Sequence, residues 1–486
     1  MTSRQLFVGA GAQVLSRGIM LVVGFGLFLY LSRSLGPEGY GLYSVAFSVN
    51  NWVFLIVDAV MVSSLIPMLA GNPRGRDYVR TSMRLSVLVG SGLAGLGWCI
   101  APLVASLLQS PGLVGPLRCV VFAIPLQLLS HSCSASLVGE GKFVDSASSY
   151  SLMWITRLAV AWCLVEAGWG PMGAALAIPI SFLVQFLVYQ LQGITWVWQA
   201  GGMSLREWWS HTRDLATGGL MYGLLFGAEL PLLKRFVSSA EAGYYAVAQN
   251  LGVPLLAPYQ SLLPVFQQGM ARHYRDGNMR GFTDQANLLL RLVVGLAGGV
   301  LASTWLVRGL GLLMFGPRYE QSALIGQILL FELAGRVVNS AAACIVVAQG
   351  DRQRLARLYL LASLPLLMIY PLVLTLASRF WPAETPPPLL ELCALVSGLR
   401  TVVITLLVFR LTQVVSGISV PWTTAGRSLV AGTVAAIAVS WLPGDRWAVI
   451  GQLGGLVLLY VMGLLVLGER WPVLTLPGQA TDIIES

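Results

Sequence analysis

Charged residues are scarce in this sequence. Of 486 residues, 30 are Lys or Arg and 21 are Asp or Glu, so charged side chains make up 10% of the chain, against about 25% in soluble domains. So few charges cannot form the polar surface of a soluble protein of this length. That excludes a soluble enzyme, a secreted domain and a disordered chain. Because 56% of the residues are hydrophobic, the composition predicts an all-α polytopic membrane protein.

Motifs for nucleotide and metal binding are also missing. Gly139–Lys142 looks like part of a phosphate-binding loop, but it lacks the first glycine at the required spacing and is followed by Phe143. The sequence has no HExxH, and its six cysteines form no CxxC pair. We therefore expect no cofactor, no metal and no P-loop nucleotide. The net charge of +9 reflects membrane topology and does not indicate a nucleic-acid partner.

Long apolar runs predict about fourteen transmembrane helices, each close to the ~20 residues that a bilayer requires. The last two are short and could form a hairpin, which leaves twelve full spans as the alternative. The N-terminal residues lack the pattern of a cleaved signal peptide, so we expect the first span to be retained. The predicted spans are 7–32, 41–69, 83–109, 117–138, 146–167, 170–193, 214–235, 244–268, 287–314, 322–348, 355–378, 387–410, 427–443 and 447–468.

The distribution of basic residues predicts the orientation. With a cytoplasmic N-terminus, the cytoplasmic segments carry 17 of the 30 basic residues and the external segments carry 7. Positive charge accumulates on the cytoplasmic side of membrane proteins. Both termini are therefore predicted to be cytoplasmic. The external loops are too short to hold a catalytic domain, so we expect no enzyme.

A faint internal repeat relates the two halves of the chain. GLYSVA at residues 41–46 recurs as GYYAVA at 243–248, and LVGEG at 137–141 recurs as VVAQG at 346–350. Each pair occupies the same place in spans six apart. The repeat predicts two parallel six-helix lobes of a transporter around a central cavity. The lobes are residues 1–200 and 201–412, and a C-terminal helix pair with a short tail follows at 413–486.

Ionisable residues inside the spans are the first candidates for a binding site, because charges at bilayer depth are costly. Glu332 and Arg336 are spaced to neutralise each other along one helix, and Arg400 is expected to pair with an acid of another helix if it does not bind substrate. Arg291 can extend to the cytoplasmic interface. The forked guanidinium donors suit phosphate, so the arginines indicate an anionic substrate. The charged candidates are Arg17, Asp58, Arg157, Glu229, Arg291, Glu332, Arg336 and Arg400.

Polar side chains in predicted span 8 complete the candidate site: Gln249, Asn250, Tyr259 and Gln260. Amides and aromatic rings are suited to a sugar, although hydrogen bonds between helices are the alternative interpretation. His131 in span 4 is either a proton carrier or, as we favour, a hydrogen-bonded packing residue.

Several motifs resemble those of one known family, the polysaccharide transporters or Wzx-type flippases. This family belongs to the superfamily that includes multidrug exporters and lipid II flippases. The resemblance covers roughly residues 1–412, although Glu229 stands where the family often has an aspartate. The motifs are LGPEGYGLY at 35–43, LIVD at 55–58, GEGKF at 139–143, GPMGAAL at 170–176 and EAGYY at 241–245.

The resemblance implies a cavity lined by spans 1, 2, 7 and 8. It implies that the protein flips a polyprenyl-diphosphate-linked oligosaccharide, an O-antigen or exopolysaccharide repeat unit, from the inner to the outer leaflet of the bacterial plasma membrane. The energy source would be a gradient of H⁺ or Na⁺. A glycan polymerase and export machinery are expected partners of a monomeric protein.

Three other functions remain open at this stage. A multidrug or organic-cation antiporter and a lipid II flippase belong to the same superfamily. A membrane glycan polymerase or ligase would require a sizeable external loop, which the sequence does not contain.

Overall fold

The computed structural model describes residues 3–61, 65, 69, 75–194, 201–210, 212–213, 228–252, 263, 266–267, 269–381, 388–419, 421–440 and 448–467. This part of the chain consists of helices joined by turns and short irregular segments, and the all-helical prediction is confirmed. The helices are α1 (Ser3–Met61), α2 (Gly75–Leu107), α3 (Val114–Val121), α4 (Ala123–Gly139), α5 (Phe143–Leu164), α6 (Gly170–Leu191), α7 (Glu229–Lys234), α8 (Ser239–Leu251), α9 (Met279–Ala302), α10 (Val307–Phe315), α11 (Ser322–Ala348), α12 (Arg352–Phe380), α13 (Leu389–Ser416), α14 (Trp422–Ser440) and α15 (Ala448–Val466).

Glycines divide the two longest helical segments. A straight helix of 59 residues, the length of α1, would extend about 90 Å, three times the thickness of a bilayer core. Gly36 interrupts α1 with φ 65° and ψ 179°, a conformation that favours glycine. Between α5 and α6, Gly168 and Gly170 also have positive φ, 86° and 53°. Both breaks fall where the sequence predicts one span to end and the next to begin.

Seven helical segments of the described residues are long and apolar enough to cross a membrane. Two of them, Gly11–Asp58 and Phe143–Leu191, contain 48 and 49 residues and include the glycine breaks. Large apolar side chains such as Leu191 and Phe380 are exposed, as expected for a surface in contact with lipid. The polytopic helical fold is thus confirmed, whereas the number of fourteen spans stays a prediction.

Hydrogen bonds fix the relative directions of α1, α5 and α6. The first half of α1 runs parallel to α5, because Gln13 donates to the Phe143 carbonyl (3.1 Å) and Tyr30 donates to the Trp162 carbonyl (3.4 Å). α6 runs antiparallel to α5, since Ser149 pairs with Gln192 near one end of the helix pair. These directions agree with those predicted for spans 1, 5 and 6.

The chain forms two compact units. The first contains Met1–Ala257, Phe315–Ser322 and Arg352–Val396; the second contains Pro258–Met314, Ala323–Asp351 and Ser397–Ser486. Within the second unit, α14 and α15 pack together and against α9. The lobe boundaries at residues 200 and 412 stay a prediction.

Candidate functional site

A polar cavity lies inside the first unit. Its volume is ≈ 200 Å³, and α1, α5, α7 and α8 supply its lining. The apolar part of the lining includes Leu27, Phe28 and Leu230. The polar and aromatic part includes Tyr40, Tyr43, Ser44, Ser48, Trp154, Arg157, Gln249 and Asn250. Three predicted site residues, Arg157, Gln249 and Asn250, therefore meet in one cavity.

Arg157 supplies a buried positive charge to this cavity. Its side chain donates from Nε to the Ser181 hydroxyl (3.0 Å), and its guanidinium lies over the rings of Trp154 (4.8 Å) and Phe182 (4.9 Å). The residue is 5% exposed. Its Nη2 is buried and has no hydrogen-bond partner among the described residues. A buried charged donor without a partner is costly, and an anion in the cavity would offset that cost.

Two amides of α8 face the same cavity and are held by neighbouring groups. Asn250 donates to the Tyr40 hydroxyl (3.2 Å) and to the Ala246 carbonyl (2.9 Å). Gln249 donates to the buried carboxylate of Glu229 (3.2 Å). Glu229 thus positions Gln249, and the structure places it in contact with the predicted site.

A second cavity of ≈ 190 Å³ shares Gly24, Phe28, Trp154 and Asn250 with the first. Arg17 stands beside it. The guanidinium lies 5.3 Å from the centre of the Tyr150 ring, and its Nη1 is 4.0 Å from the sulfur of Met20, which lines the cavity. Arg17 is exposed. Its binding role stays a prediction.

Asp58 and His131 pair with each other. The distance from His131 Nδ1 to Asp58 Oδ1 is 3.2 Å. The Phe54 ring meets the imidazole edge to face, with 4.9 Å between ring centres. The sequence named Asp58 as a site candidate and favoured a packing role for His131, and the structure joins α1 to α4 through them.

A separate charge cluster lies in the second unit. Glu332 Oε1 accepts from Arg336 Nη2 (2.6 Å) and from the hydroxyl of Thr401 (3.0 Å), and Arg400 Nη2 lies 3.5 Å away. The predicted pairing of Glu332 with Arg336 is confirmed. Arg400 of α13 pairs with the same carboxylate, on α11. Glu332 and Arg400 are 3% and 1% exposed. This arrangement holds α11 and α13 together, and a substrate-binding role for the three residues stays a prediction.

Three candidates remain. Arg291 is exposed on α9, as expected if its side chain extends to the cytoplasmic interface. Tyr259 and Gln260 lie outside the described residues.

Sequence reasoning missed the groups that hold Arg157. Trp154 precedes it by three residues and so shares its helix face, which was a usable signal. Ser181 and Phe182 come from α6, and nothing in their local sequence indicates that they contact an arginine.

The sequence profile of a family described as polysaccharide biosynthesis protein matches residues 7–270, more than half of the chain. The chain belongs to this family. The predicted resemblance to polysaccharide transporters is therefore confirmed. With helices long and apolar enough to span a membrane, this member of the polysaccharide biosynthesis family is a multi-pass membrane protein.

One curated relative of this family member is the succinoglycan biosynthesis transport protein ExoT of Rhizobium meliloti (strain 1021). The two are 23% identical over 280 residues, which is 54% of this chain and 53% of the relative. The match thus spans about half the length of that protein.

Two solved transporter structures share the fold. The lipid II flippase MurJ in an inward closed conformation has a TM-score of 0.72 at 11% identity, over 95% of this chain and 98% of that chain. A multidrug resistance transporter of the MATE family, in an outward-facing conformation, has a TM-score of 0.62 at 13% identity, over 84% and 95%. At such identities the likeness establishes the fold alone.

Proposed function

We propose that this protein is a flippase for a polyprenyl-diphosphate-linked oligosaccharide, the repeat unit of an O-antigen or exopolysaccharide. It moves the glycan from the inner to the outer leaflet of the bacterial plasma membrane. Membership of the polysaccharide biosynthesis family supports the proposal, as does the printed function of the succinoglycan transport relative. The fold shared with a lipid II flippase supports a lipid-linked substrate.

The observation that carries the proposal is the buried guanidinium of Arg157. Its Nη2 donor has no hydrogen-bond partner among the described residues, and Arg157 lines a cavity that tyrosines and amides also line. Arginine binds phosphate oxygens through two parallel hydrogen bonds. We assign the diphosphate to Arg157 and the sugars to the amides of Gln249 and Asn250. The polyprenyl tail would stay in lipid.

We also propose the energy source, the membrane location and the partners of transport. An H⁺ or Na⁺ gradient supplies the energy, and the protein is a monomer without enzymatic activity. It lies in the inner membrane with both termini in the cytoplasm and delivers its glycan to a polymerase and export machinery. The basis for the orientation is the 17 to 7 distribution of basic residues.

Two of the three candidate carboxylates argue against an exporter of organic cations. Such a site requires an acid that is free to attract a cation. Glu229 instead accepts from Gln249, and Glu332 lies against two arginines. A lipid II flippase would move a substrate that has the same diphosphate but a different glycan. The identity of the lipid that accumulates after gene deletion therefore distinguishes the two functions.

Deletion of the gene tests the proposal in the organism's own membrane. The lipid-linked glycan should accumulate in the inner leaflet, and plasmid-borne wild type should restore export. Arg157→Met should not restore export at equal membrane abundance. Arg280→Ala, which removes an exposed cation, is the matched control and should restore it fully. Accumulation of lipid II, or unchanged glycan export after deletion, would contradict the proposal.

Cysteine labelling tests the orientation. Cys99 and Cys163 are exposed and are first replaced by Ser. A cysteine at Trp381 should then react with an impermeant reagent from outside the cell, and one at Asp276 should react only after lysis. The reversed pattern would overturn the assignment of cytoplasmic termini.

A further inference from the structure

The second cavity differs in chemistry from the cavity that Arg157 lines. Its volume is ≈ 190 Å³, and its lining is Met20, Leu21, Gly24, Phe25, Phe28, Trp154 and Asn250. Most of these side chains belong to one face of α1, because residues spaced by four lie on the same side of a helix. The amide of Asn250 already donates to the Tyr40 hydroxyl and to the Ala246 carbonyl. The cavity therefore suits an apolar group.

A sugar is a poor occupant of this second cavity. Buried hydroxyl groups need hydrogen-bond partners, and the sulfur of Met20 already accepts from the Tyr150 hydroxyl (3.2 Å). Apolar atoms need only close contact, which thioether and aromatic side chains provide. An apolar protein cavity of about 150 Å³ is large enough to bind benzene. The second cavity is therefore large enough for one branched group of five carbon atoms.

Trp154 connects the two cavities. Its side chain lines both of them, and the Arg157 guanidinium lies 4.8 Å from the centre of its ring. Trp154 Nε1 is buried and has no hydrogen-bond partner among the described residues, and the same holds for Arg157 Nη2. Two buried donors that suit phosphate oxygens thus belong to neighbouring side chains, and an apolar cavity lies directly beside them.

We infer that the second cavity binds the isoprene unit attached directly to the diphosphate. A polyprenyl-diphosphate glycan carries a sugar on one phosphate and an isoprene unit on the other. With the diphosphate at Arg157, that unit lies within reach of the second cavity, because Trp154 borders both cavities. Met20, Leu21 and Phe25 are only partly buried, so the cavity opens to the surface and the rest of the tail continues into lipid. This inference rests on the proposed function and adds that the protein recognises the start of the tail as well as the head.

Calorimetry of the full-length protein in detergent tests the inference with three glucosyl diphosphates. They differ only in the group on the second phosphate, which is methyl, dimethylallyl (one isoprene unit) or geranyl (two units). The dimethylallyl probe should bind about ten- to a hundredfold more tightly than the methyl probe, because its additional carbon atoms become buried. The geranyl probe should bind little more tightly than the dimethylallyl probe, since the cavity holds one unit. Equal affinity for the methyl and dimethylallyl probes overturns the inference, as does an affinity that rises equally with each unit, which is the behaviour of partition into detergent.

Two substitutions in α1 change the size of the second cavity in opposite directions. Leu21 and Phe25 line this cavity and not the one that Arg157 lines. Leu21→Trp fills the cavity and should bind the methyl and dimethylallyl probes equally. Phe25→Ala enlarges it and should bind the geranyl probe more tightly than the dimethylallyl probe. Val22→Trp is the matched control, because Val22 is 75% exposed on the same helix, and it should keep the wild-type preference. A wild-type preference in both Leu21→Trp and Phe25→Ala overturns the inference.

The methyl probe keeps failure of the inference separate from failure of the proposed function. It carries the diphosphate and the sugar without an isoprene unit, so its binding reports on the Arg157 cavity. Binding of the methyl probe that is lost in Arg157→Met supports the diphosphate assignment, and the gain from the dimethylallyl group then decides the inference alone. Absence of binding by all three probes contradicts the diphosphate assignment and the isoprene site with it.

Discussion

Gly41 and Gly243 face each other across the contact between α1 and α8. A Cβ on Gly41 would overlap the carbonyl oxygen of Ser239, and a Cβ on Gly243 would overlap that of Pro37. The two glycines open the repeated stretches GLYSVA and GYYAVA, and Pro37 and Ser239 each lie four residues before them. The contact is therefore reciprocal, as expected where two copies of one element meet about a local two-fold axis.

Substitution of Gly41 by alanine should destabilise the protein. The added methyl group meets backbone atoms, which cannot rotate away as a side chain can, and overpacking of this kind costs about 1–3 kcal/mol. Gly243→Ala should have a similar effect. Thermal unfolding in detergent measures both, with Gly26→Ala as the control, because no atom lies within 4 Å of a Cβ at Gly26. Equal stability of Gly41→Ala and Gly26→Ala would show that the helices do not approach so closely.

Glu332→Gln should destabilise the second unit by roughly 3–5 kcal/mol, the usual cost of removing one partner from a buried ion pair. The carboxylate is the shared acceptor of Arg336 and Thr401 and the counter-ion of Arg400. A double-mutant cycle with Arg400→Met separates the pair from its surroundings. The Glu332→Gln/Arg400→Met protein should be more stable than the sum of the single effects predicts. Strict additivity would mean that the two side chains do not interact.

Arg17→Ala should reduce glycan export without changing the amount of protein in the membrane. The guanidinium stands beside the second cavity, supported by the Tyr150 ring. Arg17→Lys should restore export only in part, because an ammonium lacks the forked donor geometry. Tyr150→Phe keeps the ring beneath the cation and should export nearly as well as wild type. Full export by Arg17→Ala would assign the residue to packing.

Features that depend on local sequence were predictable. Apolar runs predicted the helices. The gaps between predicted spans, at LGPEGYG and just before GPMGAAL, contain the glycines at which the helices break, Gly36 and Gly168. The Glu332–Arg336 pair followed from their spacing of four residues, which places both on one helix face.

The meeting of charges from different helices could not be read from the sequence. Asp58 pairs with His131 of α4, and Glu332 lies against Arg400, 68 residues further along the chain. Which partner each charge meets depends on how every helix is rotated about its axis. That rotation is set by packing among many apolar side chains of similar hydrophobicity, so the pattern of hydropathy does not specify it.

Arg157 offers the most direct test of diphosphate translocation. The purified protein is reconstituted into liposomes with a fluorescent NBD-labelled prenyl-diphosphate sugar, and dithionite quenches the label in the outer leaflet. Wild type should transfer the lipid between leaflets, Arg280→Ala should match it, and Arg157→Met should be slower by about tenfold or more, the effect of losing a charge-assisted hydrogen bond. Transfer by Arg157→Met at the wild-type rate, or no transfer by the wild type under an imposed ion gradient, would contradict the proposed role of this cavity.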